Sequence, residues 1–211
     1  MKIIFLEKVN STHTYLRDLI KNEGYSYPVC ITSKVQTDGV GSRGNSWIGK
    51  EGNLFFSFVI KKDALPEDLQ LQSASIYFSY ILKKVLAQKG SLLWLKWPND
   101  FYIENKKIGG TITTATKDLI FCGIGLNLIE VSKEYGKLDI QIDKNECLKI
   151  YFDSLQKQNS WKEVFSQFKV EFQKSRKFKA TINNKKISLE NAVLFSDGSI
   201  EINNTKVFSL R

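Results

Sequence analysis

Two short segments close together constrain the fold more than any other part of this chain. The letters KWPND occupy positions 96–100, and KIGG occupies positions 107–110. Pro98 fixes its own backbone and biases the residue before it toward an extended conformation, so the first segment predicts the end of a strand. Paired glycines in the next strand suggest a ligand that lies along the backbone. Together the segments predict a β-hairpin that carries a binding site.

Hydrophobic periodicity predicts a mixture of strands and helices around this hairpin. A helix is predicted after 10–13, whose polar residues can cap it, and longer helical patterns cover 67–89 and 144–176. A polar, glycine-containing loop is predicted over 36–50. Strands are predicted near 29–33, 53–60, 92–96, 100–103, 107–115 and 118–126. This order predicts an α+β fold with a mixed β-sheet flanked by helices.

The last part of the chain changes character. From 177 to 211, short apolar segments alternate with turn signals at Asn183-Asn184, Asp197-Gly198 and Asn203-Asn204. Such a piece is too short to be stable alone, so we expect a small β-barrel that docks on the main domain. The predicted domains are therefore 1–176 and 177–211.

The charge of the chain invites a nucleic-acid interpretation. The 211 residues carry a net charge of +9, as many nucleic-acid-binding domains do. The lysines are nevertheless spread along the chain, and no helix-turn-helix, zinc-finger or RNA-binding motif accompanies them. A lysine-rich solvated surface explains the charge better, and specific DNA binding is not expected.

Compartment signals favour the cytoplasm. No run of about eighteen apolar residues predicts a membrane span, and the N-terminus lacks the apolar core and cleavage site of a signal peptide. The three cysteines, Cys30, Cys122 and Cys147, are scattered without metal-ligand spacing. Reduced, buried thiols in a cytosolic protein are the favoured interpretation.

The segment GVGSRGNSW at 39–47 has glycines that let backbone N–H groups face a ligand. Arg43 can pair with a phosphate, and Trp47 can stack on a flat ring. The segment matches neither a P-loop nor the dinucleotide fingerprint. Its spacing alone favours a mobile surface loop slightly over a ligand loop.

Asp100 and Lys107 carry the clearest chemistry. Asp100 suits Mg²⁺, which favours one or two carboxylates plus phosphate oxygens, and the alternative is an ordinary Asn-Asp turn. Lys107 can neutralise charge on a phosphoryl group, and the alternative is an exposed lysine on a hairpin edge. The letters GIG at 123–125 allow close approach of a ligand or form a bulge before Asn127. For His13, the only histidine, a structural or hydrogen-bonding role is favoured.

In their order and spacing these segments resemble the biotin protein ligases. The resemblance rests on Ser11-Thr12, on QT-x-G-x-G-x-x-G-x-x-W at 36–47, on KWPND and KI-x-G, and on G-x-G-x-N at 123–127. The ending SLR at 209–211 is also similar. The resemblance implies a catalytic domain like that of class II aminoacyl-tRNA synthetases with a small SH3-like C-terminal barrel. It also implies a monofunctional type that lacks the DNA-binding domain of its repressor relatives.

The resemblance implies a two-step reaction with ATP and Mg²⁺. Biotin is activated as biotinyl-5′-AMP and is then transferred to a lysine of a biotin carboxyl carrier protein, such as that of acetyl-CoA carboxylase. A monomer or weak homodimer is expected. The catalytic residues that the resemblance implies are Lys107, Arg43 and Asp100. Asp100 would act as the metal ligand or as the group that orients the incoming amine. The implied biotin-binding residues are Ser11, Thr12, His13, Gln36, Gly39, Val40, Gly41, Ser42, Lys107, Gly110, Gly123 and Gly125. Those implied for ATP are Arg43, Trp47, Asn99, Lys107, Asn127 and Arg211.

One segment departs from the family. The usual loop Gly-Arg-Gly-Arg-x-Gly-Arg is replaced by GVGSRGN at 39–45, in which Arg43 is the one arginine. Our hypothesis is that Arg43 takes over part of the work of holding the adenylate. A lipoate–protein ligase of the same fold is the nearest rival function. A basic nucleic-acid-binding module and a non-catalytic biotin sensor are more distant ones.

Overall fold

A computed structural model describes residues 1–42, 45–183 and 185–208. The helices are α1 (Thr12–Glu23), α2 (Ala74–Gln88), α3 (Lys144–Leu155) and α4 (Trp161–Ser175). The main strands are β1 (Lys2–Val9), β2 (Val29–Val40), β3 (Ser46–Gly49), β4 (Leu54–Lys61), β5 (Trp94–Lys96), β6 (Asp100–Ile103), β7 (Lys106–Ala115) and β8 (Leu119–Leu126). Within the described ranges, none of the helices has both the length and the apolar character that a membrane crossing requires.

These strands form one sheet of eight, in the order β1-β2-β4-β8-β7-β6-β5, with β3 paired to β2. β1 runs parallel to β2, and the other pairs are antiparallel. The predicted mixed sheet is therefore confirmed. Our sequence analysis missed β1, because it is a half-exposed edge strand without a continuous buried run.

The sheet separates two apolar layers. On one face, α2, α3 and α4 cover the larger core, where the Phe58 and Phe78 rings meet edge to face at 5.1 Å. On the other face α1 covers a smaller cluster, in which Leu16 packs with Ile31 and Val59. The N-terminus of α1 thus lies over the middle strands of the sheet.

Some elements differ from the sequence-based expectations. Most of the predicted loop 36–50 is a hairpin, since β2 continues to Val40 and β3 pairs back onto it with a register shift between Gln36 and Gly39. A 3-10 turn precedes α2, so the helix begins only at Ala74. The predicted helix over 144–176 is two helices, because the chain breaks near Gln158, which has φ 47°, and α4 restarts with Ser160 as its cap.

The C-terminal segment forms short strands where they were predicted. They are β9 (Lys179–Ile182), β10 (Lys185–Ser188), β11 (Val193–Leu194), β12 (Ile200–Ile202) and β13 (Thr205–Val207). β9 and β10 form a two-stranded sheet, and β11, β12 and β13 form a three-stranded one. Their buried residues, among them Leu189 and Ile200, belong to the same core cluster as α2 and α4. The division at 176/177 stays a prediction.

Candidate active site

A cleft opens where the N-terminus of α1 and the β2–β3 hairpin meet the glycine-containing strands β7 and β8. It holds about 470 Å³, including the part open to solvent, which lies within the range of small-molecule sites. Its lining includes most of the residues predicted from sequence: Ser11, Thr12, His13, Gln36, Val40, Gly41, Ser42, Trp47, Asn99, Asp100, Lys107, Gly110, Gly123 and Gly125. The fold therefore brings together segments that are far apart in the chain.

One end of the cleft is a network of polar groups. The Thr12 backbone N–H and Oγ1 both donate to Gln36 Oε1, at 2.8 and 3.0 Å. Thr12 Oγ1 also lies 2.8 Å from Ser57 Oγ, on β4. Ser11 caps α1 by accepting from the Thr14 N–H at 3.4 Å. This end, which we call the polar head, presents donors and acceptors to a ligand.

His13 also faces the cleft from the first turn of α1. It is 5% exposed, and its Nε2 lies 3.2 Å from Thr114 Oγ1. Its Nδ1 is buried and has no hydrogen-bond partner among the described residues. Burial first, and then the charge of Arg17, lowers the pKa of His13 to about 4, so the ring is neutral at pH 7. An unpaired buried nitrogen costs free energy, and a bound ligand can supply the missing partner.

Glycines keep the floor of the cleft open. A Cβ on Gly123 would lie 3.1 Å from both His13 Nδ1 and Ser57 Oγ. A Cβ on Gly125 would lie 2.7 Å from the Trp47 indole, which packs directly on that glycine. Side chains at either position would fill the cleft, so the floor suits a thin ligand.

The opposite end is charged. The β6–β7 hairpin pairs Asp100 with Gly110, and Lys107 Nζ lies 2.6 Å from Asp100 Oδ1. Lys96 Nζ lies 3.4 Å from the other carboxylate oxygen. Burial alone would raise the pKa of Asp100, but the two lysines outweigh it and hold that pKa below its usual value. The site therefore presents a carboxylate flanked by two ammonium groups.

Magnesium does not fit this donor set as a resident ion. Asp100 is the one carboxylate among the described residues that line the cleft, and both of its oxygens are paired with lysines. The described part of the chain holds no group of three or more His, Cys, Asp or Glu side chains able to bind a metal. The assignment of Asp100 as a metal ligand stays a prediction, which the geometry does not favour.

A second recess lies beyond Trp47. Its lining comprises Ser46, Trp47, Ile48, Asn127, Val131 and Tyr135. The Trp47 indole also lines the main cleft, and its buried Nε1 has no partner among the described residues. Asn127 holds the loop beside the recess, since its Nδ2 donates to the Gly136 carbonyl at 3.1 Å. The Trp47 indole therefore lies between the main cleft and the recess that Asn127 lines.

Other predicted residues are placed differently. Gly39 does not line the cleft; it allows β2 and β3 to approach, because a Cβ there would lie 2.6 Å from the Trp47 carbonyl. Asn99 lines the cleft, and its side-chain amide donates to the Thr111 carbonyl. Arg43 and Arg211 lie outside the described residues.

Sequence reasoning missed four residues that line the cleft: Ser57, Thr111, Ile112 and Ile124. They lie on three interior strands, where apolar and small residues follow one another without a clear alternation. The serine within the apolar run of β4 was the one available signal, because a polar residue in a buried strand needs a partner.

Comparisons with known proteins agree on one family. The model of the biotin/lipoate A/B protein ligase family matches residues 5–127. Over 137 residues the chain is 31% identical to biotin–protein ligase 2 of Arabidopsis thaliana, which covers 60% of this chain and 40% of that protein. It is also 31% identical, over 133 residues, to a bifunctional ligase/repressor of Escherichia coli, again covering 60% and 40%. The matches span about two fifths of these curated relatives.

A solved structure resembles the chain over nearly its whole length. It is a biotin acetyl coenzyme A carboxylase synthetase from Helicobacter pylori with bound biotinylated ATP. The two chains are 35% identical and superpose with a TM-score of 0.93, covering 98% of this chain and 99% of that one. The similarity thus includes the C-terminal strands as well as the sheet that carries the cleft.

Proposed function

Because this chain belongs to the biotin/lipoate A/B protein ligase family, we propose that it is an ATP-dependent biotin protein ligase. It activates biotin as biotinyl-5′-AMP and transfers the biotinyl group to a lysine of an acceptor protein. The observation that carries the proposal is a narrow, glycine-floored cleft with a polar head at one end and Lys107 at the other. The likeness to the Helicobacter pylori enzyme supports it.

The polar head favours biotin over lipoate. A cyclic urea offers two N–H donors and a carbonyl, which match the hydroxyls of Thr12 and Ser57, the amide of Gln36 and the unpaired Nδ1 of His13. The dithiolane ring of lipoate offers no comparable hydrogen bonds. It would leave the buried Nδ1 of His13 without a partner, at a cost of about 1–3 kcal/mol.

The floor and the charged end suit the rest of the biotin molecule. Gly123 and Gly125 leave room for the valeryl chain of biotin. A chain that runs along these glycines toward the charged end would bring its carboxylate to Lys107. The second recess, with Trp47, Asn127 and Tyr135, suits the flat adenine ring of ATP. We also assign Asn99, which lines the cleft, to the nucleotide.

In the first step, a biotin carboxylate oxygen attacks the α-phosphorus of ATP, and pyrophosphate leaves. Lys107 lies within reach of both anions, so its charge reduces their repulsion and stabilises the negative charge that develops on the phosphoryl oxygens. Mg²⁺ enters as part of the nucleotide substrate and neutralises its phosphates. Asp100 orients the Lys107 ammonium group.

In the second step, the amine of the acceptor lysine attacks the biotinyl carbonyl, and AMP leaves. The Asp100 carboxylate at this end of the cleft orients the incoming amine. We propose that the acceptor is the biotin carboxyl carrier domain of acetyl-CoA carboxylase or a related carboxylase. The protein acts in the cytoplasm, as a monomer or weak homodimer.

Arg43 and Arg211 complete the proposed ATP site. Arg43 pairs with the phosphate of the adenylate in place of the arginines that the loop lacks. An Arg43→Ala variant should therefore form the adenylate more slowly and release it more readily. Equal formation and equal leakage in the variant and the parent protein would contradict this role.

The decisive experiment is mass spectrometry of a biotin carboxyl carrier domain incubated with this protein, ATP, Mg²⁺ and biotin. We expect one biotinyl group on one lysine, and none when ATP is omitted. An acceptor domain that gains lipoate but not biotin would establish the rival function. Pyrophosphate release on mixing with biotin and ATP separates an enzyme from a biotin sensor.

A further inference from the structure

The turn between β11 and β12 is held by side chains from three separate parts of the catalytic region. Three consecutive backbone carbonyls each accept one hydrogen bond: that of Ser196 from Trp161 Nε1 at 2.8 Å, that of Asp197 from Ser73 Oγ, and that of Gly198 from Trp97 Nε1 at 3.0 Å. The donors lie at the start of α4, just before α2, and between β5 and β6. We call 196–198 the carbonyl turn.

The carbonyl turn is shaped by its own residues. Gly198 has φ 78°, which favours glycine, and a Cβ there would lie 2.7 Å from Ser73 Oγ. The Ser199 N–H donates to Asp197 Oδ1 at 3.0 Å, and Lys206 Nζ lies 2.7 Å from the other carboxylate oxygen. The turn therefore presents its carbonyls in a fixed arrangement.

Trp97 connects this turn to the active site. Its side chain is fully buried, and its backbone N–H donates to Ser175 Oγ at the end of α4 at 3.0 Å. Two residues later, the Asn99 carbonyl accepts from the Thr111 N–H at 2.9 Å. Asp100 then meets Lys107. The indole is therefore anchored in the C-terminal segment, while the residues that follow it line the cleft.

We propose that the hydrogen bond from Trp97 to the carbonyl turn is a positioning contact for catalysis. Through Trp97 this contact holds Asn99 and Asp100 at the cleft, so the carbonyl turn affects the rate of adenylate formation without touching a ligand. This inference rests on the proposed function. The alternative is that the three hydrogen bonds stabilise the fold and do nothing else.

Two matched variants separate these possibilities. Trp97→Phe removes the indole N–H to Gly198 and keeps an aromatic ring, and Trp161→Phe does the same for Ser196. Trp161 is not among the described residues that line the cleft. Both variants lose one hydrogen bond to the same turn, so a purely structural role affects them alike.

The kinetic readout is biotin-dependent exchange of pyrophosphate into ATP, measured where both variants are folded. We expect kcat to fall by about tenfold or more in Trp97→Phe, because small displacements of reacting groups are costly. The KM for biotin should be unchanged, since the polar head belongs to other segments. Trp161→Phe should stay within about twofold of the parent protein in both constants. Equal losses of kcat in the two variants would overturn the proposal.

A second readout does not depend on the activity. Amide hydrogen exchange at Thr111 reports the hydrogen bond to the Asn99 carbonyl. In Trp97→Phe, we expect the exchange rate at Thr111 to rise about tenfold more than the loss of global stability explains. In Trp161→Phe, the exchange rate should change only as much as global stability does. Thr111 exchange that tracks global stability in both variants would refute the positioning role. If the parent protein shows no exchange activity, the proposed function fails, and this measurement still decides the inference.

Discussion

At the scale of single residues, the polar groups around the cleft differ in whether they have hydrogen-bond partners within the described structure. Lys107 and Asp100 are paired with each other, whereas the Nδ1 of His13 and the Nε1 of Trp47 are buried without partners. Native structures leave few such groups. Two of these groups lie in the main cleft and at the wall it shares with the second recess, which supports the proposed ligand sites.

Replacing Lys107 tests the charged end. Lys107→Ala should slow biotin-dependent ATP–pyrophosphate exchange by about 10²–10³-fold, because the cation that stabilises the developing phosphoryl charge is lost. The control is Lys106→Ala, which removes an exposed neighbour whose Nζ donates to the Lys133 carbonyl. If both variants lost a similar fraction of the exchange rate, the overall positive charge, and not the position of Lys107, would explain the activity.

His13 makes stability depend on pH. Its pKa is about 4 in the folded protein and about 6.5 when unfolded, so between these values the unfolded chain binds the proton and the folded protein does not. Stability therefore falls as the pH drops from 7 to 4, by about 3 kcal/mol from this group. Urea unfolding of the parent protein and of His13→Asn at several pH values checks this. The same pH dependence in both would contradict the assignment.

At the scale of elements, the β2–β3 hairpin places Gln36 at the polar head. The two strands approach very closely at the register shift, where a Cβ on Gly49 would lie 2.0 Å from the Gln36 carbonyl oxygen. The hydrogen bonds from Thr12 then fix the Gln36 side chain. In the proposed function, binding of the ureido ring of biotin therefore depends on how two strands meet as well as on the residues that touch it.

Gly49→Ala tests the hairpin. The added methyl group must push the strands apart, which moves Gln36 away from Thr12, and we expect the Kd for biotin to rise by about tenfold, or about 1.4 kcal/mol. Calorimetric titration of biotin without ATP measures this effect directly. Lys50→Ala, at the next, exposed position, should bind biotin as the parent protein does. An unchanged Kd in Gly49→Ala would mean that the hairpin does not position Gln36.

At the scale of the whole molecule, the C-terminal strands and the main sheet share one core. Ala180, Leu189 and Ile200 belong to the same buried cluster as Trp97 and Phe172. The carbonyl turn adds hydrogen bonds across the same junction. The predicted domains 1–176 and 177–211 are therefore expected to fold together.

Denaturant unfolding checks this expectation. Tryptophan fluorescence, to which Trp97 and Trp161 contribute at the junction, and circular dichroism, which follows α1 to α4, should give coincident single transitions. A C-terminal segment that unfolds earlier, visible as a separate fluorescence transition, would show two independent domains.

Much of the fold could be predicted from the sequence because it depends on local signals. The hairpin of β6 and β7 follows from Pro98, the turn before Lys106 and the paired glycines, and all of these are close in the chain. The cap of α1 and the strands of the C-terminal segment were likewise visible as turn and periodicity signals. The hairpin that carries Asp100 and Lys107 could therefore be predicted before the structure was known.

The sequence alone determined most of the elements, the motif residues and the charge at one end of the site. Only the tertiary structure decided that Ser57 joins Thr12 in the polar head, that His13 Nδ1 lacks a partner among the described residues, and that Trp97 is hydrogen-bonded to a carbonyl 101 residues away. Periodicity shows which face of a strand a residue lies on, but the order β2-β4-β8-β7 brings distant strands together. That order is set by packing across the whole core, which local patterns do not contain.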